Sequence, residues 1–232
     1  MNTLGHKLRV TVFGQSHAPA IGCVVEGLPA GFIPDMDRLA AFLARRAPGR
    51  TAWSTPRRES DAPEILSGLV EGRTCGAPVC AVIRNGDQRS WDYEGLRRTP
   101  RPSHADYTAW VKYGESYDIR GGGQFSGRLT APLCFAGALA LQLLEERGIT
   151  VAAHIGQIGG VYDEAPDFAA VDRETLKALL ARPFPAFRED AGVAMRQEIE
   201  RARMDADSVG GLVRCFAVGL PAGVGEPMFE GV

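Results

Sequence analysis

Cysteine is sparse and shows no pairing pattern: the 232-residue chain has five (Cys23, Cys75, Cys80, Cys134 and Cys215), an odd number with no C-x-x-C spacing. Neither a disulfide framework nor a cysteine-built metal site follows, and no metal is expected. Most of the five stand in apolar runs, as reduced core thiols do. Charge of one sign is lacking too. Lys and Arg total 26 against 28 Asp and Glu, a formal net charge of −2, so no global basic field draws nucleic acid or an anionic membrane. Uninterrupted apolar stretches such as Leu139–Leu141 fall far short of a bilayer span. The opening MNTLGHKLRV has neither the apolar core nor the small-residue cleavage site of a secretory signal. These absences point to a cytoplasmic globular chain without nucleic-acid or membrane partners. At 45% hydrophobic and 23% charged residues its composition is ordinary for that class.

What the chain does have is glycine, 28 residues beside 15 prolines, much of it clustered at Gly121–Gly123, Gly159–Gly160 and Gly210–Gly211. Such clusters mark sharp turns or close approach of the backbone to something else. No internal repeat accompanies them. Alternation of Leu8, Val10 and Val12 predicts a strand over 7–13, and a second over 21–26, joined by the polar loop 14–19. Asp35 N-caps a predicted helix whose apolar face is Met36, Leu39, Ala40 and Leu43, ending before Pro48-Gly49. Further strands are predicted over 65–70 and 79–83, with a turn at Asn85-Gly86-Asp87. Ser103 and Asp106 have the spacing of a capping pair, which would put His104 at the first position of a helix. A buried helix over 130–147, a strand over 149–158, helices over 173–181 and 190–204, and a strand over 212–218 complete the order. Strands and helices mix without regular alternation, which reads as α+β in one domain spanning 1–232.

Three features point to an anionic ligand. Arginines crowd two loop regions, Arg45, Arg46, Arg50, Arg57 and Arg58, then Arg97, Arg98 and Arg101. Their guanidinium forks suit carboxylates and phosphates, although a solvated face or helix-end cations would look the same. The run Gly121-Gly122-Gly123 enters a helical region, so its bare amides could cradle a phosphate or simply make a tight turn. His17 and His104 are loop histidines, placed to carry protons or to cap and hydrogen-bond. At a helix N-terminus His104 would be harder to charge. His6 and His154 lack such context and read as structural, with His154→Ala expected to be nearly silent.

At these residues the chain resembles a known family. Phe13-Gly14-Gln15-Ser16-His17 is similar to the F-G-E-S-H motif of the chorismate synthases, and Arg101-Pro102-Ser103-His104-Ala105-Asp106-Tyr107 to their R-P-[SG]-H-A-D-Y. Asp118 to Gly123 resembles D-x-R-G-G-G, Asp207 to Gly211 resembles D-S-[IV]-G-G, and Gly219 to Pro227 resembles a later block, all in order. The resemblance implies an α+β sandwich of helices between antiparallel β-sheets and a homotetramer when complete. It implies a lyase of the shikimate pathway of aromatic amino acid biosynthesis. Such an enzyme converts 5-enolpyruvylshikimate-3-phosphate to chorismate by 1,4-anti elimination of phosphate, with reduced FMN as cofactor. A flavin reductase or NADPH would supply the electrons. His17 and His104 would be catalytic, Gln124, Phe125 and Ser126 would contact the flavin, and Arg46, Arg50 and Arg101 would bind substrate or nucleotide. Gln15 stands where the motif has Glu, Ala18 where it has Gly, Gln124-Phe125-Ser126-Gly127-Arg128 where R-S-S-A-R is commoner, and Ala52 where a second arginine is usual. The family continues beyond the block that ends this chain, so a C-terminally incomplete domain is expected, inactive and poor at binding flavin as it stands. Two other readings stay open: an FMN-dependent flavin reductase using the same glycine loop, and an inactive binding module.

Overall fold

The structure, a computed structural model, describes residues 2–49, 59–86, 99–164 and 166–225. It divides into two compact units, Met1–Gln142 and Leu143–Val232. The first carries a five-stranded antiparallel sheet in the order β1-β2-β3-β7-β4, formed by Thr3–Leu4 (β1), Arg9–Gly14 (β2), Ala20–Glu26 (β3), Pro63–Ser67 (β4) and Val79–Arg84 (β7). A two-stranded ribbon, Leu69–Val70 (β5) with Arg73–Thr74 (β6), lies between β4 and β7 in the chain. The single strand expected over 65–70 is therefore two. It breaks at Gly68, whose φ of +91° is open to glycine and where a Cβ would meet the Val79 Cα at 2.5 Å. Central β3 buries Ile21, Gly22, Cys23 and Val25. Its Ile21 packs with Ile83 of β7 and Ala131 of the long helix α3.

Among the described residues, three α-helices begin in this part of the chain. Helix α1, Met36–Arg46, starts as expected at Asp35, whose side chain accepts from the Arg38 amide, and buries Leu39 and Leu43. Gln142 closes a pair of hydrogen bonds with the backbone of Asp35. Helix α2 is Asp106–Tyr113, and α3 is Thr130–Glu146 with Pro132 in its first turn. Counting short apolar stretches missed one property of α3. The helical run Arg120–Glu146 is long and apolar enough, by length and composition, to cross a membrane. That run is broken by positive φ at Gly121–Gly123, and the regular helix that follows has 17 residues, about 25 Å. It buries Ala131, Phe135, Ala136, Ala138, Leu139 and Leu143, so it is a core helix.

The second unit is a three-stranded antiparallel sheet, β10-β8-β9, with Thr150–Ile158 as β8, Val161–Tyr162 as β9 and Gly211–Val218 as β10. Helix α4, Arg173–Leu180, contributes Leu176 and Leu179 to a cluster with Ala152 and Phe216. Helix α5, Glu189–Met204, contributes Met195 to a second cluster against Ile155 and Ile158. His154 on β8 is fully buried. Its Nδ1 lies 3.2 Å from Asp163, and its ring packs on Phe187 and Phe216. This agrees with the structural reading of His154, and the packing adds a stability cost to the substitution, since alanine would empty a filled site beside a buried carboxylate. The cysteine reading also needs correction. Cys23 is a core thiol, pushed up to about 12 by burial, but Cys75 and Cys215 are exposed.

Candidate active site

The two histidines singled out in the sequence meet neighbouring glycines of one run, His17 at Gly121 and His104 at Gly122, all within the first unit. His17 lies in the loop between β2 and β3, tied to the glycine run by the Ser16 amide, which donates to Gly123 O at 3.1 Å. Gly121, Gly122 and Gly123 have φ of +57°, +83° and +55°, the left-handed region that other residues enter at a cost of about 1–2 kcal/mol. A Cβ on Gly121 would sit 2.4 Å from the His17 ring and 2.7 Å from Ser16 Oγ. One on Gly122 would sit 3.0 Å from the His104 ring, and one on Gly123 would strike Asp118 O at 2.1 Å. The close approaches these glycines permit are thus to protein groups. The run is a floor against which both imidazoles rest.

His104 is not the first residue of a helix. The helix begins at Asp106 with Ala105 as its cap and no side-chain cap bond, and Ser103 sits at φ +57°. The expected capping pair does not form because Asp106 has charged partners that bind more strongly than an amide of its own turn. Its two oxygens accept from Arg101 Nε at 2.7 Å, Arg101 Nη2 at 2.9 Å and the Arg101 amide at 3.1 Å. His104 Nδ1 lies 2.7 Å from Asp106 Oδ1. The Arg101 hydrogen bonds hold the Asp106 carboxyl down at about 2, against the opposing effect of burial. An ionised carboxylate only accepts, so His104 Nδ1 donates to it, while Arg101 Nη2 lies 3.3 Å from both ring nitrogens, Nδ1 and Nε2, and also holds the ring. The helix-dipole argument for a histidine that resists charging is replaced by an orienting carboxylate. His17 is 7% exposed, and the His104 side chain is 30% exposed.

Arg128, which follows the run in sequence, belongs to a buried charge cluster. Arg128 and Asp61 are both buried. Arg128 Nη1 donates to Asp61 Oδ1, its Nε donates to Asn85 Oδ1 at 3.0 Å, and Glu59 stands 3.9 Å from Nη2. Arg46 reaches the same carboxylate, donating from Nη1 to Asp61 Oδ2 at 2.7 Å, from Nε to Thr130 Oγ1 at 3.2 Å and from Nη2 to Gly127 O at 3.2 Å. Asp118, which precedes the glycines, is pushed up by burial. Hydrogen bonds from the Arg120 side chain and amide, with the charges of Arg120 and His17, outweigh that and hold it low.

Of the other expected site residues, Gln124 and Ser126 line a cavity of about 280 Å³ with the apolar Val12, Leu129 and Leu133. A polar cavity of about 190 Å³ adjoins it through Gln124 and includes Gln15, Tyr117 and Asp118. Phe125 is exposed, 6.4 Å from the Tyr113 ring. Arg101 is brought to His104, whereas Arg46 is brought to Asp61 and the turn at Gly127. Arg50, Arg57, Arg58, Arg97 and Arg98 lie outside the described residues. Sequence reasoning missed Asp61, which has no local pattern. It also passed over Arg128, although the motif that departs at Gln124 ends on it.

The chain was compared with known proteins. A family model described as chorismate synthase matches residues 8–232. Chorismate synthase of Lancefieldella parvula is 42% identical over 100% of this chain and 63% of its own length. That of Methanopyrus kandleri is 44% identical over 99% of this chain and 60% of its own. A crystal structure of chorismate synthase superposes with a TM-score of 0.74 at 25% identity, covering 95% of this chain and 60% of that one. The chain therefore spans about 60–63% of the length of the relatives it matches. The shared fold is an α+β mixture of helices and antiparallel sheets. With a match running across nearly every described element, the chain belongs to the chorismate synthase family.

Proposed function

We propose that the chain serves as a chorismate synthase, a lyase that forms chorismate from 5-enolpyruvylshikimate-3-phosphate by 1,4-anti elimination of phosphate and a ring hydrogen. The observation that carries the reading is the packing of His17 and His104 against Gly121 and Gly122, in a chain that matches the family over residues 8–232. His17, nearly buried, protonates the departing phosphate. His104 is oriented by Asp106 at Nδ1 and by Arg101 Nη2, and its ring takes or returns a proton from that fixed position. Arg101 is set by Asp106 for the anionic groups of the substrate, and Arg46 and Arg50 supply further positive charge.

Reduced FMN is the cofactor of this reading. The cavity at Gln124 and Ser126, with amide and hydroxyl on one part of its wall and Val12, Leu129 and Leu133 on another, has the mixed lining that a flat heteroaromatic ring takes. Gln124 and Ser126 would hold the reduced flavin, which would supply transient electron density for C–O cleavage with no net redox change. Tyr113 lines the polar cavity that adjoins that site through Gln124, and Phe125, next in sequence to Gln124, is exposed beside the Tyr113 ring. NADPH or a separate flavin reductase supplies reduced flavin, and the working protein is a cytoplasmic homotetramer. The test uses the protein as its gene encodes it, without oxygen. Reduced FMN should support chorismate formation, and oxidised FMN should bind without turnover. Robust turnover with no flavin would overturn the assignment.

A further inference from the structure

We infer that Asn85 is a positioning residue for His17, holding the histidine's loop from both sides. This rests on the catalytic role proposed for His17, but the geometry is independent of it. Asn85 follows β7 directly, and Arg84, the last residue of that strand, pairs with Ala20, the first of β3. The sheet register thus delivers Asn85 to the loop that precedes β3. There its Nδ2 donates to Gln15 O at 3.1 Å and to Ala18 O at 2.7 Å, and its backbone amide donates to Pro19 O at 3.1 Å. The two side-chain bonds fall on either side of Ser16-His17. The turn they clamp is closed by the Ala18 amide donating to Gln15 O at 3.1 Å. Asn85 Oδ1 faces the other way and accepts from Arg128 Nε at 3.0 Å, and Arg128 is anchored on buried Asp61.

The side chain required is narrowly defined. Two carbonyls can only accept and a guanidinium can only donate, so the group between them must offer two donors and one acceptor on one planar head. An amide has them. A carboxylate keeps the acceptor and loses both donors, and glutamine has the head on a longer stem. The site also has little slack, because the His17 ring lies where a Cβ on Gly121 would come within 2.4 Å. Any shift of the Gln15–Ala18 turn therefore moves the imidazole relative to the glycine floor and to His104 beyond it.

The test is Asn85→Asp, which keeps size and the bond from Arg128 while abolishing the two donors to the loop. Histidine-labelled protein reports by NMR, with four histidines in the chain and buried His154 as internal reference. The His17 ring signal should shift or broaden while that of His154 stays in place. Turnover should fall about 10- to 100-fold with KM within about twofold, since a reacting group is displaced but the ligand contacts remain. A variant with a wild-type His17 signal and wild-type kcat would overturn the inference. If Asn85→Asp does not fold, the unaltered protein decides: both Asn85 side-chain amide protons should be resolved and slow to exchange, and a freely exchanging amide would overturn it. Should the unaltered protein show no turnover with the named substrate, the functional reading fails, and the NMR result still judges Asn85.

Discussion

Replacing Gly121 by alanine isolates the claim that the glycine run exists to seat the histidines. Two costs follow from the structure. At φ +57° alanine costs about 1–2 kcal/mol. The added Cβ would also lie 2.4 Å from the His17 ring, against 3.4 Å where ordinary contact begins, so something must move by about 1 Å. The ring is the softer partner, and misplacing a reacting group by about 1 Å costs on the order of 100-fold in rate. The backbone cost alone lowers the melting temperature by about 2–8 °C for a chain of this size. Gly127→Ala is the matched control, because nothing lies within 4 Å of its would-be Cβ and its φ is not positive. Calorimetry and steady-state turnover on the two variants should separate them. If Gly121→Ala melts and turns over like Gly127→Ala, the packing argument is wrong.

Other consequences are quickly stated. His17→Ala and His104→Ala should each lower turnover about 100- to 10,000-fold while leaving substrate affinity nearly intact. Near-normal turnover in either folded variant would remove that residue from the mechanism. His154→Ala should destabilise by about 2–4 kcal/mol in urea titration, because it opens a cavity beside Phe187 and Phe216 and takes a donor from Asp163. An unchanged midpoint would contradict the burial argument. The Asp106 carboxyl is lowered from 3.8 to about 2. Its contribution to stability is therefore full above about pH 4 and is lost as the pH falls toward 2. Asp106→Asn should flatten that part of the stability profile, and a wild-type acid limb in the variant would refute the assignment.

Much of the fold was legible because periodicity and caps agreed. The Asp35 cap, the apolar face of α1 and the alternation in β2 each specify a local structure that tertiary contacts reinforce. Ser103 and Asp106 show where local reading fails: the spacing is that of a cap, but a carboxylate with a guanidinium and an imidazole in reach goes to the charges. The arginines fail for a related reason. A run of loop arginines looks the same whether its partners are ligand phosphates or the chain's own carboxylates, and Asp61, which engages Arg46 and Arg128, carries no sequence mark. The glycine run was legible as a place of close approach, but what approaches is set by loops distant in the chain. His154 read as unremarkable because its partner Asp163 follows a strand turn, and only the folded β8–β9 pair brings the two together.

The central claim is elimination without net redox change. Following phosphate release and NADPH oxidation together in an anaerobic reaction with 5-enolpyruvylshikimate-3-phosphate and FMN tests it most directly. The account predicts phosphate and chorismate in equal amounts, with NADPH consumed only to reduce the flavin at the start. NADPH oxidised in step with turnover, or oxidised with no phosphate released, would contradict it and make the protein a flavin reductase.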